Sequence, residues 1–294
     1  MNEKTKVLSP KLDIVFQALF GEEGSERITK KFLEEILNKK IDQIELNKNP
    51  ILRREKIDGK LGVLDVIAKI NSSQNVDIEM QMAKKDNIRD RVLYYWSRLY
   101  IRSIKKKQDY ETLEKSIVIL ISEEKIKGLE DLKGHTKWRI IENENRKIVL
   151  TDKLEIHIIQ LEKINEDTDG ISPGLLDWLM FLQNPESERV LKSMENNREL
   201  KEAREKLEQI SQDEQMRQLA WWREKGILEE NERIKQEKRI KEGQKKLDEG
   251  QKKLDEKEKA FKNKQKEFAK RLLKTGVSMK EVLEITGLTE KDIK

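Results

Sequence analysis

The sequence contains no cysteine, only two histidines and four prolines, and few aromatic residues, which make up 5% of its 294 positions. The absence of cysteine excludes a disulfide scaffold, thiol catalysis and zinc held by thiolates. No apolar run approaches the roughly 18 residues that a membrane span needs, and no signal-peptide pattern opens the sequence. We therefore expect a soluble, cytoplasmic protein without a membrane partner.

Two common types of functional site also lack their sequence patterns. Neither a GxGxxG motif nor a P-loop glycine pattern is present, so nothing indicates nucleotide binding. His135 and His157 have no partner spacing for a metal pair or a Ser-His dyad. Each reads as an ordinary strand histidine.

Charge, in contrast, is abundant: 62 Lys and Arg face 57 Asp and Glu, a net charge of +5, and together they make up 40% of the chain. In residues 186–294, 54 of 109 positions are charged, against 65 of the first 185. Charged side chains are rarely buried. The sequence therefore predicts a globular domain over 1–185, a charged helical extension over 186–275 and a small helical unit over 276–294.

Hydrophobic periodicity predicts the order of elements within the globular part. Ser9-Pro10 and Ser25 each precede an apolar pattern of helical spacing. Strands are predicted near 41–46, 61–70, 76–82, 116–122, 138–141, 148–150 and 154–161, a helix from about 87 to 106, and another after Ser172-Pro173. The predicted fold is α/β, a mixed sheet flanked by helices.

Acidic residues lie within both apolar strands of a predicted hairpin. Asp65 lies in one strand, and Asp77 and Glu79 lie in the next, with Gln81 on the same face by alternation. If the polar turn centres near residue 72, Asp65 lies opposite Glu79, within about 5 Å at Cβ. Two carboxylates that close repel unless a cation or a shared proton lies between them.

Two interpretations of these acids remain open. A hard divalent ion such as Mg²⁺, which prefers oxygen ligands, would compensate them. Alternatively, they pair with Lys60, Lys69 or arginine side chains on a solvated face of the sheet.

Four segments resemble, in order, the Rpn family of recombination-promoting nucleases and transposases in the PD-(D/E)XK superfamily. They are SPKLDIVFQALFG (9–21), LDVIAK (64–69), VDIEMQ (76–81) and YYWSRLY (94–100). The resemblance covers about residues 7–125. It implies a restriction-endonuclease-like fold and divalent-metal hydrolysis of phosphodiester bonds in DNA.

The resemblance also implies roles for individual residues. Asp65 and Glu79 match the two motif acids and would hold Mg²⁺ or Mn²⁺, with the Met80 carbonyl as a further ligand. Asp13 matches an acid that many members direct at the same metal. It is equally well explained as a first-turn acid that interacts with the helix dipole. Leu64 replaces the proline that precedes the motif Asp.

Gln81 occupies the place where most of the superfamily has lysine. Glutamine can orient a water or a phosphate by hydrogen bonding, but it carries no charge. Lys69, four residues after Asp65 on the same strand face, is a candidate for the missing cation; it could equally be an ordinary solvated lysine.

The helix predicted near 87–106 has an apolar stripe that includes Tyr95, Trp96 and Leu99. Core packing explains this stripe better than stacking on bases. The same helix carries four candidates for phosphate contacts, which would look identical on a solvated face: Arg89, Arg91, Arg98 and Arg102.

The extension contains a seven-residue repeat with one apolar position per heptad: Ile240, Leu247, Leu254, Phe261 and Phe268. A stable coiled coil needs two, so we expect weak self-association.

A basic stretch at 259–274 would contact DNA phosphates or simply end a solvated helix. Trp221-Trp222 predicts docking of that helix on the globular domain or a partner chain. The last unit is either a helix-turn-helix or a helical cap.

The leading hypothesis is a Mg²⁺-dependent DNA endonuclease connected with recombination or mobile elements. The alternative is a catalytically silent DNA-binding or self-assembling protein that keeps the nuclease fold. DNA is the expected partner, and the extension provides a route to a homo-oligomer.

Overall fold

The computed structural model describes residues 7–47, 66–82, 87–164 and 168–293. The chain divides into two compact units, Met1–Asn231 and Glu232–Lys294. Within the described residues, no helix combines the length and the apolar character needed to cross a membrane.

Two helices open the first unit, α1 (Asp13–Phe20) and α2 (Glu26–Leu37). The position of Ser9-Pro10 as a helix start is not confirmed: these residues lie in a turn, in which the Leu12 amide donates to the Ser9 carbonyl. Leu12 is the N-cap of α1 and makes no side-chain capping bond. Gly21 ends α1 and Ser25 precedes α2, as predicted.

A six-stranded mixed sheet forms the centre of this unit, in the order β1-β2-β3-β4-β6-β5. Strands β3, β4 and β6 run parallel, and the other neighbours are antiparallel. The predicted strand near 148–150 is reduced to an isolated bridge between Ile141 and Val149. The six strands are β1 Ile44–Leu46, β2 Val66–Ile70, β3 Gln74–Gln81, β4 Lys115–Ser122, β5 His135–Trp138 and β6 Leu154–Gln160.

Helices cover both faces of the sheet, which confirms the predicted α/β class. They are α3 Ile88–Arg102, α4 Leu161–Ile164, α5 Pro173–Gln183, α6 Glu188–Ser193, α7 Arg198–Gln212 and α8 Glu214–Lys274. Helices α1, α2 and α5 pack with Val76, Ile78 and Met80 on one face. Helix α3 packs with Val118 and Leu120 of β4 on the other.

The core of the first unit continues beyond the predicted domain boundary at 185. Val190, Leu200, Ala203, Leu207 and Ala220 belong to the same buried cluster as α1 and α2. A narrow apolar stripe anchors α7 while its remaining faces stay charged, so the charge fraction of this segment concealed its burial. The compact unit accordingly extends to Asn231, and a folded domain that ends at 185 stays a prediction.

The start of α8 docks on this core, as the tryptophan pair suggested, but through other side chains. Ala220 is 1% exposed, and Ile227 packs against the same cluster. Trp221 and Trp222 are more than half exposed, and the ammonium of Lys225 lies 5.7 and 5.6 Å from their ring centroids.

The second unit contains the rest of α8 and two short helices, α9 (Met279–Thr286) and α10 (Glu290–Ile293). Ser278 and Glu281 form the predicted capping box. A small cluster around Ala269 and Val282 holds these helices together. The five apolar residues of the heptad repeat are all exposed: Ile240, Leu247, Leu254, Phe261 and Phe268.

Candidate active site

The polar face of β3 is buried. Val76, Ile78 and Met80 point into the core on one side, and Asp77, Glu79 and Gln81 alternate with them. Glu79 is 0% exposed, and Asp77 and Gln81 are each 5% exposed. The solvated-face interpretation therefore does not hold for these three side chains.

The neighbouring strand shows which helix covers these acids. In the parallel pairing of β3 with β4, Asp77 lies beside Val118 and Glu79 beside Leu120. Side chains at paired positions point to the same face of a sheet, and Val118 and Leu120 pack against α3. The carboxylates therefore lie beneath α3, where burial makes an uncompensated charge costly.

The register of the hairpin is the one expected from a turn centred at residue 72. Val66 pairs with Ile78 and Ile67 with Asp77. Asn71 and Ser72 adopt positive φ angles of 48° and 60°, the backbone geometry of a tight hairpin turn. Asp65 lies outside the described residues, so its place opposite Glu79 stays a prediction.

Gln81, at the end of β3, contacts an arginine of α3. The Arg91 Nη1 atom donates to Gln81 Oε1 at 2.8 Å. The Nη2 atom donates to the Tyr95 hydroxyl, and the guanidinium carbon lies 5.3 Å from the centre of that ring. Two contacts on different elements thus hold the Arg91 side chain at the end of the acidic face.

The other three arginines of α3 make different contacts. Arg98 lies over the Tyr94 ring at 5.7 Å, and Arg89 lies against the backbone at Gly128. Arg102 lines a polar cavity of about 550 Å³. Sequence reasoning could not separate these four arginines, because spacing along a helix does not reveal which turn meets the neighbouring strand.

Lys69 lies at the far end of the hairpin from Gln81. It pairs with Asn75 across the strands, and its ammonium contacts Glu114 Oε1 at 2.7 Å. Asn75 donates to the other oxygen of Glu114 at 2.9 Å. Four residues of strand, about 13 Å, separate Asn75 from Glu79.

Asp13 is buried, at 5% exposure, and is held by an arginine. Arg223 of α8 donates to both carboxylate oxygens, with Nε 2.7 Å from Oδ1. In the part of the chain that the structure describes, no three Asp, Glu or His side chains are grouped closely enough to hold a metal. The structure thus does not gather Asp13, Asp77 and Glu79 into one cluster.

The carboxyl end of β3 has a second basic neighbour that the sequence did not single out. The Glu123 amide donates to the Gln81 carbonyl at 3.0 Å, and the Lys11 ammonium contacts Glu123 Oε1 at 2.7 Å. Lys11 immediately precedes Leu12, so only the tertiary packing of α1 brings it to this edge.

A separate polar network connects β4, β5 and β6. Glu155 accepts hydrogen bonds from Lys115 at 2.6 Å and His157 Nε2 at 2.9 Å, and it pairs with Lys137 at 2.7 Å. The other ring nitrogen of His157 lies 2.9 Å from His135 Nε2. Both histidines lie on strands, as expected, and they contact each other across β5 and β6.

This network shifts the pKa of each of its acidic and imidazole groups. Burial, helped by the nearby His157 and Lys137, lowers the pKa of His135 to about 4. Burial also lowers the pKa of His157, although the bond to Glu155 opposes it. For Glu155, burial acts to raise the pKa, but the bonds from His157, Lys115 and Lys137 outweigh it and hold the pKa below its usual range.

The donor chemistry of the β3 face fits a hard divalent cation. Asp77 and Glu79 supply carboxylate oxygens from one buried strand face, and such oxygens are the ligands that Mg²⁺ and Mn²⁺ prefer. Burial in a medium of low dielectric strengthens the attraction between such oxygens and a cation.

Residues 10–237 match the family model described as PD-(D/E)XK nuclease family transposase. This range begins before α1 and ends within α8, so it contains all six described strands and helices α5 to α7. No curated protein and no solved structure matches significantly.

Proposed function

The chain belongs to the PD-(D/E)XK nuclease family of transposases, and from this we propose that it is a metal-dependent DNA endonuclease that acts in recombination or on mobile elements. The main support for this proposal is the burial of Glu79. Its carboxylate is 0% exposed, in a strand whose polar face also holds Asp77 and Gln81. A buried acid of this kind is costly to the fold, which favours a functional reason for its presence.

The residues of the site would have different roles in the reaction. Asp65 and Glu79 would hold Mg²⁺ or Mn²⁺, with the Met80 carbonyl as a further oxygen donor. The cation supplies activation of the attacking water and neutralisation of charge on the phosphate. Gln81 positions its hydrogen-bonding partners at the end of β3. Asp13 would assist at the same metal only if Arg223 released it.

The DNA backbone would be met by basic side chains of both units. In the first unit, α3 presents Arg89, Arg98 and Arg102 as candidates for phosphate contacts. In the second, the basic stretch at 259–274 of α8 is a further candidate, with an affinity that falls as salt rises.

A second function is favoured by Gln81 itself. A neutral side chain where most of the superfamily has lysine would suit a protein that binds DNA or assembles on it without cutting. The exposed heptad residues Leu247 and Leu254 support the assembly part of this alternative.

Cleavage of supercoiled plasmid by the full-length chain tests the proposal. We expect nicked and linear products with Mg²⁺ or Mn²⁺ and none with EDTA. Glu79→Gln and Asp65→Asn should each reduce the rate by at least about 10²-fold, since each removes a carboxylate that would hold the metal. Glu188→Gln, at an exposed glutamate, is the matched control.

Two results would contradict this proposal, one its site residues and the other its activity. Cleavage that survives in both acid variants would show that the nuclease site lies elsewhere. Salt-sensitive DNA binding without cleavage under any metal would favour the silent alternative.

A further inference from the structure

We propose that Arg91 is a catalytic residue that places its positive charge on the scissile phosphate, with Gln81 as the residue that positions it. The inference rests on the proposed nuclease function and adds a cation to it. The supporting observation is that the guanidinium of Arg91 contacts the neutral Gln81 at the end of a buried acidic strand face.

The need for a cation follows from the charges at the end of β3. Asp77 and Glu79 lie on the buried face, and Gln81 adds hydrogen-bonding capacity without charge. A phosphodiester gains negative charge as it goes to its transition state, and fixed positive groups at that position are a large source of rate enhancement. One divalent metal ion bound by two carboxylates does not neutralise all of the negative charge on the phosphate in the transition state.

Arg91 is positioned to supply this positive charge. Its Nη1 atom is 2.8 Å from Gln81 Oε1, two residues along the strand from Glu79. Lys69 is bound to Glu114 at the opposite end of the hairpin, and Lys11 is bound to Glu123. Among these three candidate cations, Arg91 is the one whose charged group contacts a side chain of the acidic face.

Arg91 is also suited by its chemistry. A guanidinium has five N–H donors in a planar fork that matches phosphate oxygens, and it stays protonated at any working pH. The bonds to Gln81 and Tyr95 use two of these donors, which leaves three for a phosphate. These two bonds also restrict the side chain, so little ordering remains when DNA binds.

The proton transfers of hydrolysis limit what Arg91 can contribute to the reaction. In hydrolysis, the water oxygen gives up a proton to the solvent and forms a bond to phosphorus, the bond from phosphorus to the leaving oxygen breaks, and that oxygen takes up a proton from the solvent. Because arginine does not release a proton, Arg91 contributes charge and no proton. Its loss should lower the rate without changing the shape of the pH profile.

Single-turnover cleavage of plasmid by the full-length chain tests this role. Arg91→Met should lower the single-turnover rate constant at saturating enzyme by about 10²- to 10³-fold, with the half-saturating enzyme concentration changed much less and with an unchanged thermal melting temperature. Arg91→Lys, which keeps the charge but loses the fork, should retain more activity than Arg91→Met. Arg189→Met, at a surface arginine paired with Asp177, is the matched control.

A charge relocation variant separates catalysis from packing. Gln81→Lys combined with Arg91→Met moves the cation onto the strand, and it should recover at least about tenfold over Arg91→Met, since a cation again faces the phosphate. DNA affinity in EDTA, measured by fluorescence anisotropy, should be similar in all variants, because one phosphate contact is a small part of backbone binding.

The possible outcomes are distinguishable. If the parent cuts, Glu79→Gln does not, and Arg91→Met cuts like the parent, Arg91 has no catalytic role while the nuclease function stands. If Arg91→Met is slow only because its melting temperature collapses, and relocation of the charge restores nothing, the residue is structural and the inference fails. If the parent itself never cuts, the proposed function and this inference fall together.

Discussion

At the scale of single residues, the contacts of Gln81 and Lys69 lead to opposite expectations. Gln81→Ala removes the acceptor that holds Arg91, so cleavage should slow by about 10²-fold, the effect of losing one aligned transition-state group. Lys69→Met breaks a bond to Glu114 about 13 Å along the hairpin and should change the rate little. Comparing plasmid cleavage rates of the two variants checks this pair. The reverse order would identify Lys69 as the missing cation.

His135 should make the fold sensitive to mild acid. Its pKa is about 4 in the folded chain against 6.5 ordinarily, so the unfolded state binds the proton first as pH falls from 6.5 towards 4. Stability should drop over that window, by on the order of 1 to 3 kcal/mol. Glu155, with a lowered pKa, adds a further loss below its ordinary value of 4.5, since its stabilising charge is then removed.

Urea unfolding at pH 7, 5.5 and 4.5 measures this dependence. His135→Gln should flatten the curve between pH 6.5 and 4.5. A parent chain and a variant with parallel pH profiles would show that His135 keeps an ordinary pKa.

At the scale of elements, an ion pair fastens α8 to α1. Asp13 and Arg223 are 210 residues apart in sequence, and their side chains are 7% and 17% exposed. Arg223→Met leaves a buried carboxylate without its ion pair, and we expect a loss of about 3 to 5 kcal/mol in the free energy of unfolding. Denaturant titration gives this value directly.

A double variant serves as the control for this ion pair. Asp13→Leu combined with Arg223→Met removes both charges and should recover much of the stability. If Arg223→Met unfolds at the same denaturant concentration as the parent, the pair does not anchor α8.

At the scale of the whole molecule, the two possible boundaries differ in what they expose. A chain that ends at residue 231 keeps Leu200, Ala203 and Leu207 and should unfold cooperatively. A chain that ends at 185 uncovers the apolar surfaces of α1 and α2 that these residues bury, and it should aggregate or bind hydrophobic dyes. Cooperative unfolding of the shorter chain would restore the boundary at 185.

The exposed heptad residues predict weak self-association of the full chain. Leu247 and Leu254 are 72% and 53% exposed, and one apolar residue per heptad gives a shallow seam. Light scattering should show a concentration-dependent mass for the full chain that the chain ending at 231 lacks. Leu247→Lys with Leu254→Lys should abolish it; a constant monomer mass in the parent would exclude assembly through this stripe.

Local patterns in the sequence were sufficient for the hairpin of β2 and β3 and the α/β class. Alternation along β3 placed Asp77, Glu79 and Gln81 on one face, because side-chain direction in a strand depends only on position parity. The capping box at Ser278 is equally local. The resemblance to the nuclease family rested on short motifs and was confirmed over residues 10–237.

Only the tertiary structure decided which groups meet across the fold. The contacts of Arg91 with Gln81 and of Arg223 with Asp13 join different elements, so no periodicity along the chain encodes them. The burial of the β3 acids likewise depends on α3 lying over that face of the sheet, and the end of the first unit depends on α7 packing against α1 and α2. Patterns report which way a side chain points along its own element, whereas partners and burial arise when separate elements pack.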